Sequence, residues 1–167
     1  PNPEGEAIGE YVELDELFRR ADVVSLHCPL FPETEGLINA EAISKMKDGA
    51  LLINTSRGGL VNTEDLIQGL KSGKVGAAAL DVYEEEGEVF YEDLSGHILQ
   101  DDKLVRLIAM PNVIVTSHQA FLTEEALHNI AETTVKNLIA LRDRGQCENE
   151  VCHRGGEAKD CKDGKCF

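Results

Sequence analysis

ALLINTSRGG, residues 50–59, begins apolar with Leu51, Leu52 and Ile53, passes through Asn54, Thr55 and Ser56, places one cation, Arg57, and ends on Gly58 and Gly59. A continuous apolar run of this length, bounded by turn residues, reads as a strand buried on both faces, as the strands of parallel sheets are. Its polar residues then fall at the carboxyl end, where open α/β sheets bind ligands. Arg57 is there well placed to meet an anion, and the two glycines would permit positive φ and close backbone approach. The same ten residues also fit an ordinary strand-to-helix turn with a solvated arginine. On their own they do not choose between the two.

Upstream, residues 1–9 are a Pro/Gly/Glu segment without periodicity and read as a connection already in progress. Val12, Leu14, Leu17 and Phe18 fall at helical spacing, with Arg19 and Arg20 at the end that suits cations. Asp22 to His27 reads as a strand that Cys28-Pro29-Leu30 stops, because proline cannot donate to a sheet ladder; Phe31 to Gly36 continues the loop. Asn39 caps a helix running to Lys47, and Asp48-Gly49 turns into the central strand.

Downstream, Asn62 or Thr63 caps a helix with Leu66, Ile67 and Leu70 inward and Gly73 as its stop. Lys74 to Leu80 is the next buried strand, and its small residues predict that something packs closely over it. Strands and helices alternating at this spacing predict right-handed crossovers in a parallel sheet. Asp81 opens a long acidic segment, DVYEEEGEVFYEDLSGHILQDD, with Val89, Phe90, Tyr91, Leu94, Ile98 and Leu99 as anchors. A short helix follows over Lys103 to Ala109, then a last strand, Val113 to Thr116, ending on Ser117-His118. Thr123 precedes the longest predicted helix, Glu124 to Ala140, in which Leu127, Ile130, Ala131, Thr134, Val135, Leu138 and then Leu141 step by three and four.

The 167 residues carry 31 acidic and 16 basic side chains, a formal charge of -15, which argues against nucleic acid or an anionic membrane as partner. No apolar run approaches the roughly 20 residues of a membrane helix, and the start lacks a basic-then-apolar signal pattern, so a cytoplasmic location is expected. From Arg142 the composition changes, and four of the five cysteines lie in this tail at Cys147, Cys152, Cys161 and Cys166. Their spacing lacks the tight pairs and second histidine of common zinc sites, and disulfides would need an oxidising compartment that nothing else suggests. Residues 146–167 are therefore read as a flexible tail with incidental thiols and no metal.

Polar signals stand at the ends of four predicted strands: Cys28-Pro29, Thr55-Ser56-Arg57, Asp81 through Glu86, and Ser117-His118. Together with the wording LHCPL, NTSRGGLV, LDVYEEE and SHQAFLTEEAL, they make the chain resemble the D-isomer-specific 2-hydroxyacid dehydrogenases, over about residues 1–151. DVYE followed by VFYEDLSGHILQDD, and HQAFLT, make it most similar to the D-lactate dehydrogenase branch.

The resemblance implies an NAD-dependent oxidoreductase that interconverts D-lactate and pyruvate by hydride transfer. Arg57 matches the arginine that grips the substrate carboxylate, a task that suits a fork-shaped, permanently charged guanidinium. His118 matches the acid/base histidine, and Glu86 the carboxylate that orients it. Spacing does not choose among Glu84, Glu85 and Glu86; the resemblance does. Asp81 matches the residue beside the nicotinamide, while Cys28, Pro29, Thr34, Thr55, Ser56 and Arg57 match cofactor-contacting positions. A homo-oligomer, dimer or tetramer, is implied for the full-length protein.

The chain also departs from the family pattern. A dinucleotide site needs G-x-G-x-x-G between its first strand and helix, with an acidic residue about 20 positions later. Neither is present here, so the expected architecture is an incomplete doubly wound, Rossmann-like α/β domain over residues 1–145. Its first strand, glycine-rich loop and second strand are expected to be missing, as is the family's amino-terminal substrate domain. A non-catalytic NAD-binding module, of the corepressor type that shares this fold, is the alternative reading, as is a degenerate fragment.

Overall fold

The computed structural model describes residues 9–90, 96 and 99–149, with the side chains of Glu88 and Val89 left out. The chain forms two compact units, residues 1–120 and 121–167. In the first, helices α1 (Leu14–Arg20), α2 (Ala40–Lys45) and α3 (Thr63–Ser72) alternate with strands β1 (Val23–Leu26), β2 (Ala50–Asn54) and β3 (Val75–Leu80). The short helix α4 (Glu86–Val89), α5 (Asp102–Ala109) and β4 (Val113–Val115) follow. The second unit holds α6 (Glu124–Arg144).

Helix ends follow from local chemistry. Asn39 Oδ1 accepts from the Ala42 N–H at 3.0 Å and Asn62 Oδ1 from the Asp65 N–H at 3.0 Å, so of the two candidates ahead of α3 it is Asn62 that caps. Gly73 ends α3 in the left-handed region at φ 78°. Asp101 Oδ1 accepts from the Lys103 and Leu104 N–H groups, both at 3.0 Å, and starts α5.

The four strands are parallel and stand in the order β1-β2-β3-β4, as the alternation of elements predicts. Successive crossovers that all step the same way, with one hand, lay their helices on one face of the sheet. Val24, Leu26, Leu52, Ala78 and Leu80 are buried with Ala42, Ile43, Leu66, Ile67, Leu70, Leu104 and Leu107 from that helical layer. On the opposite face Val23, Leu51 and Ile114 are largely exposed, so β2 is not buried on both sides as its apolar run suggests.

The small residues of β3 have a local reason. Register shifts between Ala50 and Leu51, which pair with Val75 and Ala77, and leaves Gly76 opposite the bulge. A Cβ on Gly76 would lie 2.5 Å from the Gly49 carbonyl oxygen.

In the acidic segment, Tyr83 is buried and Phe90 packs partly against the core at a ring separation of 6.4 Å from it. Tyr91, Leu94 and Ile98 lie outside the described residues, as does the Val89 side chain. Helix α6 runs to Arg144, four residues past the expected end, where Gly145 at φ 69° stops it. Its stripe of Leu127, Ile130, Val135, Leu138 and Leu141 is exposed and only Ala140 is buried, so spacing read the helix correctly but not its burial. Of the tail, Cys147 is half-buried and forms no disulfide among the described residues, and residues 150–167 lie outside them. No described helix is long and apolar enough to cross a membrane, and the described residues contain no cluster of three metal-ligating side chains.

Candidate active site

The carboxyl ends of parallel strands point the same way, so residues that follow β1, β2, β3 and β4 meet at one edge although they lie up to 90 positions apart. After β1, Cys28 is half-buried and Pro29 exposed. The Cys28 carbonyl accepts from Ser56 Oγ at 2.6 Å, which ties the loop after β1 to the loop after β2. Thr34 Oγ1 donates to the Pro29 carbonyl and accepts from the Phe31 N–H, each at 2.8 Å. It thus shapes the loop that carries Cys28 and Pro29.

After β2, buried Asn54 organises the turn that presents Arg57. Its Nδ2 donates to the Arg57 carbonyl at 2.9 Å and its Oδ1 accepts from the Ser56 N–H at 3.1 Å. Thr55 and Arg57 are exposed, and Arg57 Nη1 donates to the Ser56 carbonyl at 2.7 Å. Neither glycine that follows has positive φ. A Cβ on Gly58 would instead collide with the Tyr83 carbonyl and the Glu84 nitrogen, so this glycine lets the Arg57 segment sit against the backbone of the acidic loop. The close approach expected of it is made to the protein itself.

After β3, the Tyr83 N–H donates to Glu86 Oε2 at 3.1 Å, and Glu86 Oε1 lies 3.0 Å from His118 Nδ1. Both side chains are only partly exposed, 21% for Glu86 and 35% for His118. Of the three consecutive glutamates, Glu84 instead pairs with Lys103 at 3.0 Å and Glu85 stands 3.9 Å from the same ammonium. The arrangement sorts a run that spacing could not.

Below these groups, the Tyr83 hydroxyl and Asp101 Oδ2 are both fully buried. Burial first, and the Asp101 carboxylate beside it second, raise the phenol well above its ordinary value, so it stays neutral. Lys103, through its ion pair with Glu84, ties the start of the acidic loop to the amino end of α5.

After β4, Ser117 and His118 take left-handed φ values of 50° and 57°, which non-glycine residues rarely adopt. Asp81, 4% exposed, faces them. Its Oδ1 accepts from the Thr116 hydroxyl and from the Gln119 N–H at 2.7 Å, and its Oδ2 from the Ala120 N–H at 3.0 Å. Asn54, Tyr83 and Thr116 were not among the site residues read from the sequence. Asn54 had a local signal, an Asx turn closing a strand, whereas Tyr83 and Thr116 depend on partners 18 and 35 positions away.

The parallel α/β sheet thus carries at its carboxyl edge a carboxylate-held imidazole and an exposed arginine. The model of the "D-isomer specific 2-hydroxyacid dehydrogenase, NAD binding domain" matches residues 1–120. The chain belongs to that family. It is 56% identical over 147 residues to 2-hydroxyacid dehydrogenase A of Aspergillus oryzae, covering 88% of this chain and 42% of that protein. It is 49% identical over 142 residues to D-lactate dehydrogenase of Escherichia coli, covering 85% and 43%. The crystal structure of D-lactate dehydrogenase with NAD+ from Lactobacillus jensenii superposes with a TM-score of 0.73 at 35% identity, covering 86% of this chain and 43% of that one. The chain thus spans less than half the length of these relatives.

Proposed function

We propose that the protein to which these residues belong interconverts a 2-keto acid and the D-2-hydroxy acid, with pyruvate and D-lactate as the preferred pair and NAD as the hydride carrier. The observation that carries this reading is the 3.0 Å contact between His118 Nδ1 and Glu86 Oε1 at the sheet's carboxyl edge. It is supported by the Gly58 contact that brings the Arg57 segment to the same acidic loop.

Glu86 holds Nδ1 and fixes which way the ring faces, so the proton exchanged with substrate moves at Nε2. In reduction that proton goes to the carbonyl oxygen as hydride reaches its carbon; in oxidation His118 takes it back. Arg57 binds the carboxylate, and its guanidinium keeps donors beyond the one given to Ser56.

The residues present fit the nicotinamide end of the cofactor. Among the described residues, Asp81 Oδ2 accepts one hydrogen bond and so retains an acceptor position, while Thr55 and Pro29 are exposed at the same edge. Cys28, Ser56 and Thr34 act there through the loops they tie together. When bound, NAD supplies the hydride acceptor or NADH the donor. The test is a hydride-transfer assay on the full-length protein with a panel of 2-keto acids and both NADH and NADPH. Reduction of pyruvate ahead of bulkier acids is expected, and no turnover of any 2-keto acid would reject the reading.

A further inference from the structure

Asp81 is bound by its neighbours more tightly than a cofactor contact requires. The N–H of His118 donates to the Asp81 carbonyl, while the Thr116 hydroxyl and the N–H groups of Gln119 and Ala120 donate to its carboxylate. Four donors from residues 116–120 therefore converge on one residue of another strand's end. The last regular sheet contact, from the Thr116 N–H to the Leu80 carbonyl at 3.0 Å, stands immediately before this turn. Within it lie Ser117 and His118, both in the left-handed region that their own side chains disfavour. Backbone of this kind persists only where its surroundings overdetermine it, and here the surroundings are the buried carboxylate.

We infer that Asp81 is a positioning residue for His118: by gathering the donors of residues 116–120 it holds the left-handed turn that aims the imidazole at Glu86. The inference rests on the reading of His118 as the proton-transfer group. Loss of the carboxylate lets Ser117 and His118 relax to negative φ, which swings the ring away from Glu86. An aspartate serving only the cofactor would leave the turn intact.

The test uses the full-length protein and three variants, Asp81→Asn, Asp81→Asn with Ser117→Gly, and Thr116→Val. Asparagine keeps the size but sets an amide donor against backbone donors. Hydrogen exchange at the Gln119 and Ala120 amides should speed by about tenfold or more in Asp81→Asn. The kcat for keto-acid reduction should fall by about tenfold or more, a larger factor than any rise in KM for NADH. Glycine at 117 adopts positive φ without penalty, so the double variant should recover part of the lost kcat. Thr116→Val, which removes one donor and no charge, should give a smaller loss of the same kind and serves if Asp81→Asn does not fold. Unchanged exchange at both amides, or a loss confined to KM for NADH, would overturn the assignment. Absence of keto-acid reduction by the unaltered protein would instead reject the functional reading, and exchange at Gln119 and Ala120 would still decide whether Asp81 holds the turn.

Discussion

Arg57 and Asp81 illustrate two ways in which a charge serves a site. Arg57 is exposed, and in the proposed reading its value lies in geometry: a planar fork matches a carboxylate with two parallel hydrogen bonds, which an ammonium cannot do. In the full-length protein Arg57→Lys should lower kcat/KM for pyruvate by about a hundredfold with little change in NADH affinity. Steady-state kinetics in both substrates check this. Asp81 is buried and spends its charge inside the protein. Burial opposes its ionisation, but the hydrogen bonds from Thr116, Ala120 and Gln119, with His118 nearby, outweigh that and hold its carboxyl below the ordinary carboxylate value. A group whose pKa is lower folded than unfolded stabilises the fold above the unfolded value, and that contribution disappears as pH falls through the folded one. Denaturant unfolding at pH 7 and near pH 3 should therefore show a stability gap between the unaltered protein and Asp81→Asn that narrows in acid.

Among the elements, the acidic loop after β3 depends on two supports: Lys103 holds Glu84, and Gly58 abuts the Tyr83–Glu84 peptide. Because Tyr83 in turn donates its N–H to Glu86, anything that moves this peptide moves the carboxylate that holds His118. Gly58→Ala inserts a methyl group where backbone already sits. It should cost about 1–3 kcal/mol in urea unfolding and lower kcat/KM, although residue 58 touches neither Glu86 nor His118 by side chain. A variant with unchanged stability and unchanged kinetics would show that the two loops are not braced against each other. Asn62, Asn39 and Asp101 act more locally, as helix caps recognisable from their positions ahead of apolar periodic runs.

For the whole molecule, the open face of the sheet and the absent glycine loop have one consequence. The pyrophosphate of a dinucleotide is held by backbone N–H groups at a helix amino terminus that follows a glycine-rich turn, and these 167 residues contain no G-x-G-x-x-G run. Residues 1–167 by themselves are therefore expected to bind NADH weakly or not at all, whereas the full-length protein is expected to bind it. Calorimetry on both compares them directly, and micromolar binding by the 167 residues would contradict the expectation.

The sequence by itself determined the order of elements, the parallel sheet and the family. Apolar runs such as Leu51-Leu52-Ile53, caps such as Asn39 and stops such as Gly73 are local signals, read within a few residues of where they act. It also carried the motifs around Arg57, Asp81, Glu86 and His118, because a resemblance needs only adjacent letters. The resemblance named Glu86 as the partner of His118 where spacing left three glutamates open; the tertiary structure brought the two side chains together, and it alone decided that Gly58 serves contact with Tyr83–Glu84 rather than positive φ and that the left-handed residues are Ser117 and His118. It also decided that Leu51 and the α6 stripe are exposed. The physical reason is separation: these outcomes rest on pairs 25 to 39 positions apart, or on which face of the sheet the crossover helices cover, and neither leaves a periodic trace in the chain.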